Sequence, residues 1–222
     1  MTETGILLES YPETVVIDGS VYSISYGFKS GMQMDIAYHD ERYTMEERLL
    51  NMLKIFYQDK IPENLQEAVN RMLWFYTRGK YQPGKEQEQK NAQNPFKRDL
   101  REFCFIQDGE LILSAFWAEY GIQLHNTEDN DIHWWEFMAL FAGLPENTEI
   151  KQYIYYRTCD LKGKTGEEKK RIKNIRNKIA IRKKVSDADM SPAMRLQKRN
   201  EGMLEYVRRR EYEYRKGQNA QN

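Results

Sequence analysis

His133 and Glu136 lie three residues apart in the run Asp131-Ile-His-Trp-Trp-Glu-Phe-Met-Ala-Leu-Phe-Ala-Gly-Leu-Pro145, close enough to share one turn of helix. A carboxylate that orients an imidazole is the beginning of general acid–base chemistry. The rest of such a site is missing. There is no glycine-rich phosphate loop and no Gly-x-Ser-x-Gly elbow, and the other carboxylates are scattered along helix faces without a pairing interval. The expected meaning of His133 and Glu136 is therefore a buried, mutually satisfied contact. His39, His125 and His133 are the three histidines, and neither Cys-x-x-Cys nor His-Glu-x-x-His spacing occurs, so no protein-built metal site is expected. Cys104 and Cys159 stand far apart and cannot define a disulfide framework; both are expected as free thiols. Enzymatic activity and a cofactor are not expected.

Binding chemistry has stronger signals. Trp134 and Trp135 are aromatic anchors of the type that dominates interfaces, although an apolar helix would bury consecutive tryptophans against different neighbours. The second signal is charge. The chain has 34 Lys/Arg and 34 Asp/Glu, but 19 of the former and 8 of the latter fall after residue 160, giving +11 there and −11 before it. Clusters at Lys169-Lys170-Arg171, Arg182-Lys183-Lys184 and Arg208-Arg209-Arg210 are the candidates for contact with a phosphate backbone or an acidic protein. Acidic residues recur among them (Glu201, Glu205, Glu211, Glu213), which favours a solvated, ion-paired helix over a continuous phosphate-binding strip. Ile172, Ile175 and Ile179 add a thin apolar stripe, so an acidic protein surface, on this chain's own body or on a partner, is the expected contact.

The elements that position these residues follow from period and punctuation. The expected fold is mainly α: a helical body over residues 1–160 with a small N-terminal β-hairpin, and a basic helical arm over 161–222. Thr14–Ile17 and Val21–Ile24 flank Asp18-Gly19, a type I′ hairpin signal, and Met32–Tyr38 reads as a third β-prone stretch. Thr44 and Glu47 form a capping box ahead of a face of Met45, Leu49, Met52, Leu53 and Phe56. A second helix is expected from Pro62, carrying Leu65, Val69, Met72, Leu73 and Tyr76 to Gly79. Residues 81–95 are polar and without period, the pattern of a surface loop. Phe103–Ile106 is expected to extend toward Asp108, the N-cap of a helix ending at Gly121. Asp131 and Gly143 are expected to cap the Trp-Trp helix, Ile150–Leu161 to form another, and Ser191-Pro192 to start one with Met194, Leu204 and Val207. Mean hydropathy of −0.84 and the absence of a membrane-length apolar run point to no membrane partner and to the cytoplasm.

Phe105-Ile-Gln-Asp108, Leu111-Ile-Leu-Ser-Ala-Phe116, Tyr120-Gly-Ile-Gln-Leu124, His133-Trp-Trp-Glu-Phe137, Leu140 and Gly143-Leu-Pro145 together resemble the bacteriophage gene-product-fifteen family. The Gly19–Tyr22 hairpin and Phe28-Lys29 fit its opening, and the likeness runs over roughly residues 12 to 160. The resemblance implies a tail assembly chaperone of a long-tailed phage, acting in the host cytoplasm and absent from the finished particle. Its implied partners are the tape-measure protein and the tail-tube protein; a second tail chaperone and further copies of the chain are candidate partners beside them. The alternatives are a nucleic-acid-binding phage protein using the basic arm, or a structural tail component. The family supplies no catalytic residues.

Overall fold

The computed structural model describes residues 10–58, 60–81, 83 and 102–182. Most of the polar loop at 81–95 and the segment from Lys183 onward, including the helix expected at Ser191-Pro192, lie outside them.

The hairpin forms as the Asp-Gly signal requires. β1 (Thr14–Ile17) pairs antiparallel with β2 (Ser20–Ser23), with Val16 opposite Val21 and Ile17 opposite Ser20. Asp18 and Gly19 both take the left-handed region, at φ 49° and 77°, which gives a turn whose twist matches that of the strands. Val15 and Ile17 point into the core while Val16 faces outward, the period-2 alternation of a half-buried strand.

The expected third strand is a helix: α1 runs over Phe28–Tyr38. Its N-cap, Gly27, has no side chain with which to cap. Asp129, about a hundred residues away in sequence, does so instead, its Oδ1 accepting the backbone N–H groups of Lys29 (2.6 Å) and Ser30 (3.0 Å). α2 (Met45–Tyr57) carries both halves of the expected capping box, Thr44 N–H to Glu47 Oε2 at 2.8 Å and Glu47 N–H to Thr44 Oγ1 at 3.3 Å. α3 (Leu65–Tyr76) begins after Pro62, because Asn64 supplies the cap by accepting Glu67 N–H.

α4 (Gly109–Tyr120) ends at Gly121, φ 70°, as expected. Its start differs. Residues 105–107 form a turn closed by Asp108 N–H donating to Cys104 O at 2.8 Å, and the Asp108 carboxylate makes no cap. α5 (Trp134–Gly143) is capped by His133, whose Nδ1 accepts Trp135 N–H at 3.0 Å. The expected cap, Asp131, belongs to a short 3₁₀ turn (Asp129–Asp131) and accepts Glu128 N–H instead. Gly143 is the last helical residue, without the positive φ of a left-handed C-cap. α6 (Glu149–Thr158) and α7 (Gly166–Lys178) follow, the latter with a second capping box between Thr165 and Glu168.

α5 holds the core together, as its apolar composition predicts. Phe137 stacks on Phe28 of α1 (5.7 Å) and on Phe116 of α4 (4.9 Å), while Phe141 meets Phe103 edge-on at 4.8 Å. On the side toward α3, Trp134 stacks on Tyr76 and Trp135 packs against Phe75 and Trp74. Aromatic pairs at these separations contribute beyond the area they bury, each about 0.5–1.5 kcal/mol.

Candidate interaction surfaces

Trp134 and Trp135 are 3% and 4% exposed. Each indole N–H is used: Trp134 Nε1 donates to Tyr76 O at 3.2 Å and Trp135 Nε1 to Phe75 O at 2.7 Å. A buried indole with its donor satisfied is a packing element that ties α5 to the end of α3. Neither ring is offered to a partner in this conformation. His133 and Glu136 do not meet. His133 is buried, stacked on Tyr11 at 4.6 Å and on Tyr26 at 5.7 Å, with Nε2 against Pro12 O at 3.1 Å, whereas Glu136 is exposed. With Nδ1 accepting Trp135 N–H, the ring proton sits on Nε2 and is donated to Pro12. Burial holds the imidazole below its ordinary pKa, against the opposing pull of the Pro12 carbonyl and Glu13.

The charge pair that sequence spacing did not reveal is Asp108 with Arg157. Both are buried, and the guanidinium grips the carboxylate with two bonds, Nη1 to Oδ2 at 2.6 Å and Nη2 to Oδ1 at 2.9 Å. Asp108 Oδ2 also accepts Cys104 N–H, and Arg157 reaches Glu102 O and, through Nε, Ile179 O at 2.8 Å. A bidentate pair with its remaining donors placed on carbonyls is the arrangement in which burial of two charges is tolerated. It joins α4, α6 and the residue that ends α7. Gln107 continues the grip, its side chain donating to Ala180 O (3.1 Å) and accepting Arg182 N–H (3.0 Å).

The basic segment therefore begins as an ordered part of the fold. Ile172 of α7 is buried, Ile175 and Ile179 are half-buried, and Arg176 donates from Nε to Tyr156 O and from Nη2 to Cys159 O, both at 2.9 Å. The isoleucine stripe faces inward, and the outer side of α7 carries the exposed Lys170, Arg171, Lys173 and Lys178. Arg182 is exposed just beyond. Lys183, Lys184, Arg208, Arg209 and Arg210 lie outside the described residues.

Apolar surface is exposed elsewhere. Val16 and Val21, cross-strand partners, are 53% and 68% exposed on the outer face of the hairpin. Leu65 is exposed at the start of α3, beside Asn64, whose Nδ2 donates to Asp18 in the hairpin turn at 3.0 Å. The alternation in β1 carried this signal, since a strand that buries Val15 and Ile17 must present Val16. Among the described residues no helix is long and apolar enough to cross a membrane.

Comparison with curated proteins and comparison with solved structures each return no match. Residues 7–181 match the sequence family described as Bacteriophage Gp15 protein, a span that reaches past residue 160 and takes in α7 and the segment gripped by Arg157 and Gln107. The match covers well over half of the 222 residues, and the chain belongs to the bacteriophage Gp15 protein family.

Proposed function

We propose that this phage protein is a tail assembly chaperone that binds the tape-measure protein and keeps it soluble in the host cytoplasm while tail-tube subunits assemble. Binding is reversible coverage of apolar client segments, without nucleotide and without a covalent step. The observation that carries the reading, beside family membership, is the cross-strand pair Val16 and Val21 on the outer face of the hairpin, both more than half exposed. Adjacent apolar side chains exposed together offer a surface that an apolar client segment can cover.

Co-expression with the tape-measure protein tests this directly. The client's soluble fraction rises and the two co-purify, and a Val16→Thr, Val21→Thr variant folds normally but solubilises less. A client that stays insoluble at every ratio sinks the reading. The exposed cations of α7 favour a second reading, binding to nucleic acid, which a salt series separates from the first.

A further inference from the structure

From Gly109 to Ile150 the chain contains no lysine or arginine, yet it holds eight acids: Glu110, Glu119, Glu128, Asp129, Asp131, Glu136, Glu146 and Glu149. From Lys162 to Arg182 the balance reverses, with nine Lys/Arg against Glu167 and Glu168. Both stretches lie in the described fold, and both are anchored to α6: α4 and α7 each pack on it. Their charges are not spent on each other. Among the described residues, no ion pair joins the acidic stretch to α7.

The acidic side has a shape as well as a charge. A shallow groove between α4 and the start of α6 is lined by apolar Leu111, Ala115 and Ala118 and by polar Ser114, Asn147 and Thr148, with Glu119 and Glu149 in its wall. Trp117 of α4 is 51% exposed. An exposed indole two residues from Glu119 suits the aliphatic stems and charged heads of lysine and arginine, by apolar contact and by cation–π attraction. The outer face of α7 presents that chemistry through Lys170, Arg171 and Lys173.

We propose that two copies of this chain associate by seating the basic outer face of α7 of one copy on the acidic α4–α6 groove and Trp117 of the other. A second copy is favoured as the occupant because each copy carries both halves of the complementary pair, with no ion pair joining them among the described residues. The formal net charge of zero also leaves no long-range repulsion between copies. Where a two-fold axis relates the copies, the same contact is made twice.

Sedimentation of the full-length protein over a concentration and salt series tests this, with two charge-reversed variants. Glu119→Lys with Glu149→Lys gives a chain basic on both surfaces; Lys170→Glu with Lys173→Glu gives one acidic on both. The wild type self-associates at low salt and more weakly, though not to complete loss, as salt rises. Each variant alone self-associates at least about tenfold more weakly, and an equimolar mixture of the two recovers association. Trp117→Ala weakens the wild-type contact without lowering the melting temperature. Recovery on mixing cannot come from misfolded partners, so it separates lost contact from lost fold. A wild type that remains monomeric at every concentration, a variant that associates as the wild type does, or a mixture that stays dissociated overturns the proposal. So does a monomer whose groove binds only a foreign cationic peptide.

Discussion

Gly31 and Trp134 approach so closely that a Cβ built on Gly31 would lie 2.2 Å from Trp134 Cδ2 and Cε3. The indole fills the space that any other residue at position 31 would need. Trp134 is also held by stacking on Tyr76 at 6.1 Å and on Phe137 at 5.9 Å, so it cannot retreat cheaply. In an exposed helix interior, glycine to alanine gains about 0.5–1 kcal/mol. Here the sign reverses. Gly31→Ala should lose ~1–3 kcal/mol or more through overpacking, read as a lower urea midpoint at unchanged slope. An unchanged or raised midpoint would show that the two helices are not held this close.

Trp135 is the second anchor, with Nε1 on Phe75 O and its ring against Phe75, Trp74 and Tyr11. Trp135→Ala should cost about 3–5 kcal/mol. Normal melting combined with lost client binding would reverse its assignment from core to interface.

Much of this architecture is local and legible in the sequence. The Asp18-Gly19 turn and the Thr44–Glu47 box fold as read because their partners are within three residues. What escaped is long-range. α1 looks β-prone over Met32–Tyr38 because its cap is Asp129, which no local window connects to Lys29 and Ser30. The Asp131 cap was lost to His133 because the imidazole is pinned by Pro12 and Tyr11 from the far N-terminal side. The Trp134-Trp135 pair drew notice by composition, yet burial decides accessibility, and the exposed tryptophan is Trp117. The isoleucine stripe was legible, whereas its docking on α6 through Arg176 was not.

The Asp108–Arg157 pair should behave as a unit. Removing one partner, as in Arg157→Met, strands a buried carboxylate and should cost about 3–5 kcal/mol, whereas replacing both with apolar residues of similar volume should cost much less. A double-mutant cycle by denaturant unfolding measures the coupling. Additive single changes would mean that the two charges are solvated independently.

His133 sets a pH dependence whose sign follows from burial. Its folded pKa lies below the ordinary value, so between that folded value and about 6.5 the unfolded chain binds more protons than the folded one. Stability from this group is fully present above about pH 7 and is lost as pH falls through that window. Protonation also removes the acceptor that caps α5, since Nδ1 can no longer receive Trp135 N–H. The wild type should lose stability from about pH 7 to pH 5 relative to His133→Gln, which has nothing to titrate there. Parallel stability curves for the two proteins would refute this role.

The basic surface yields the prediction that separates a protein-binding chain from a nucleic-acid-binding one. Exposed ion pairs contribute only about 0–1 kcal/mol each, so a protein contact must draw on apolar surface as well and should fall only partly as salt rises. A phosphate backbone held by 6–10 cations would instead lose about 10³–10⁵ in affinity between 50 and 200 mM salt. Because Ile172 is buried and Ile175 half-buried against the fold, the apolar share must come from surfaces such as Val16 and Val21 or Trp117, not from α7 itself. Binding of the full-length protein to its client and to duplex DNA across one salt series decides the matter. Shallow salt dependence for the client, weakened by Val21→Thr, is the expected result. Steep, tight DNA binding that Val21→Thr leaves untouched would assign the cations to nucleic acid.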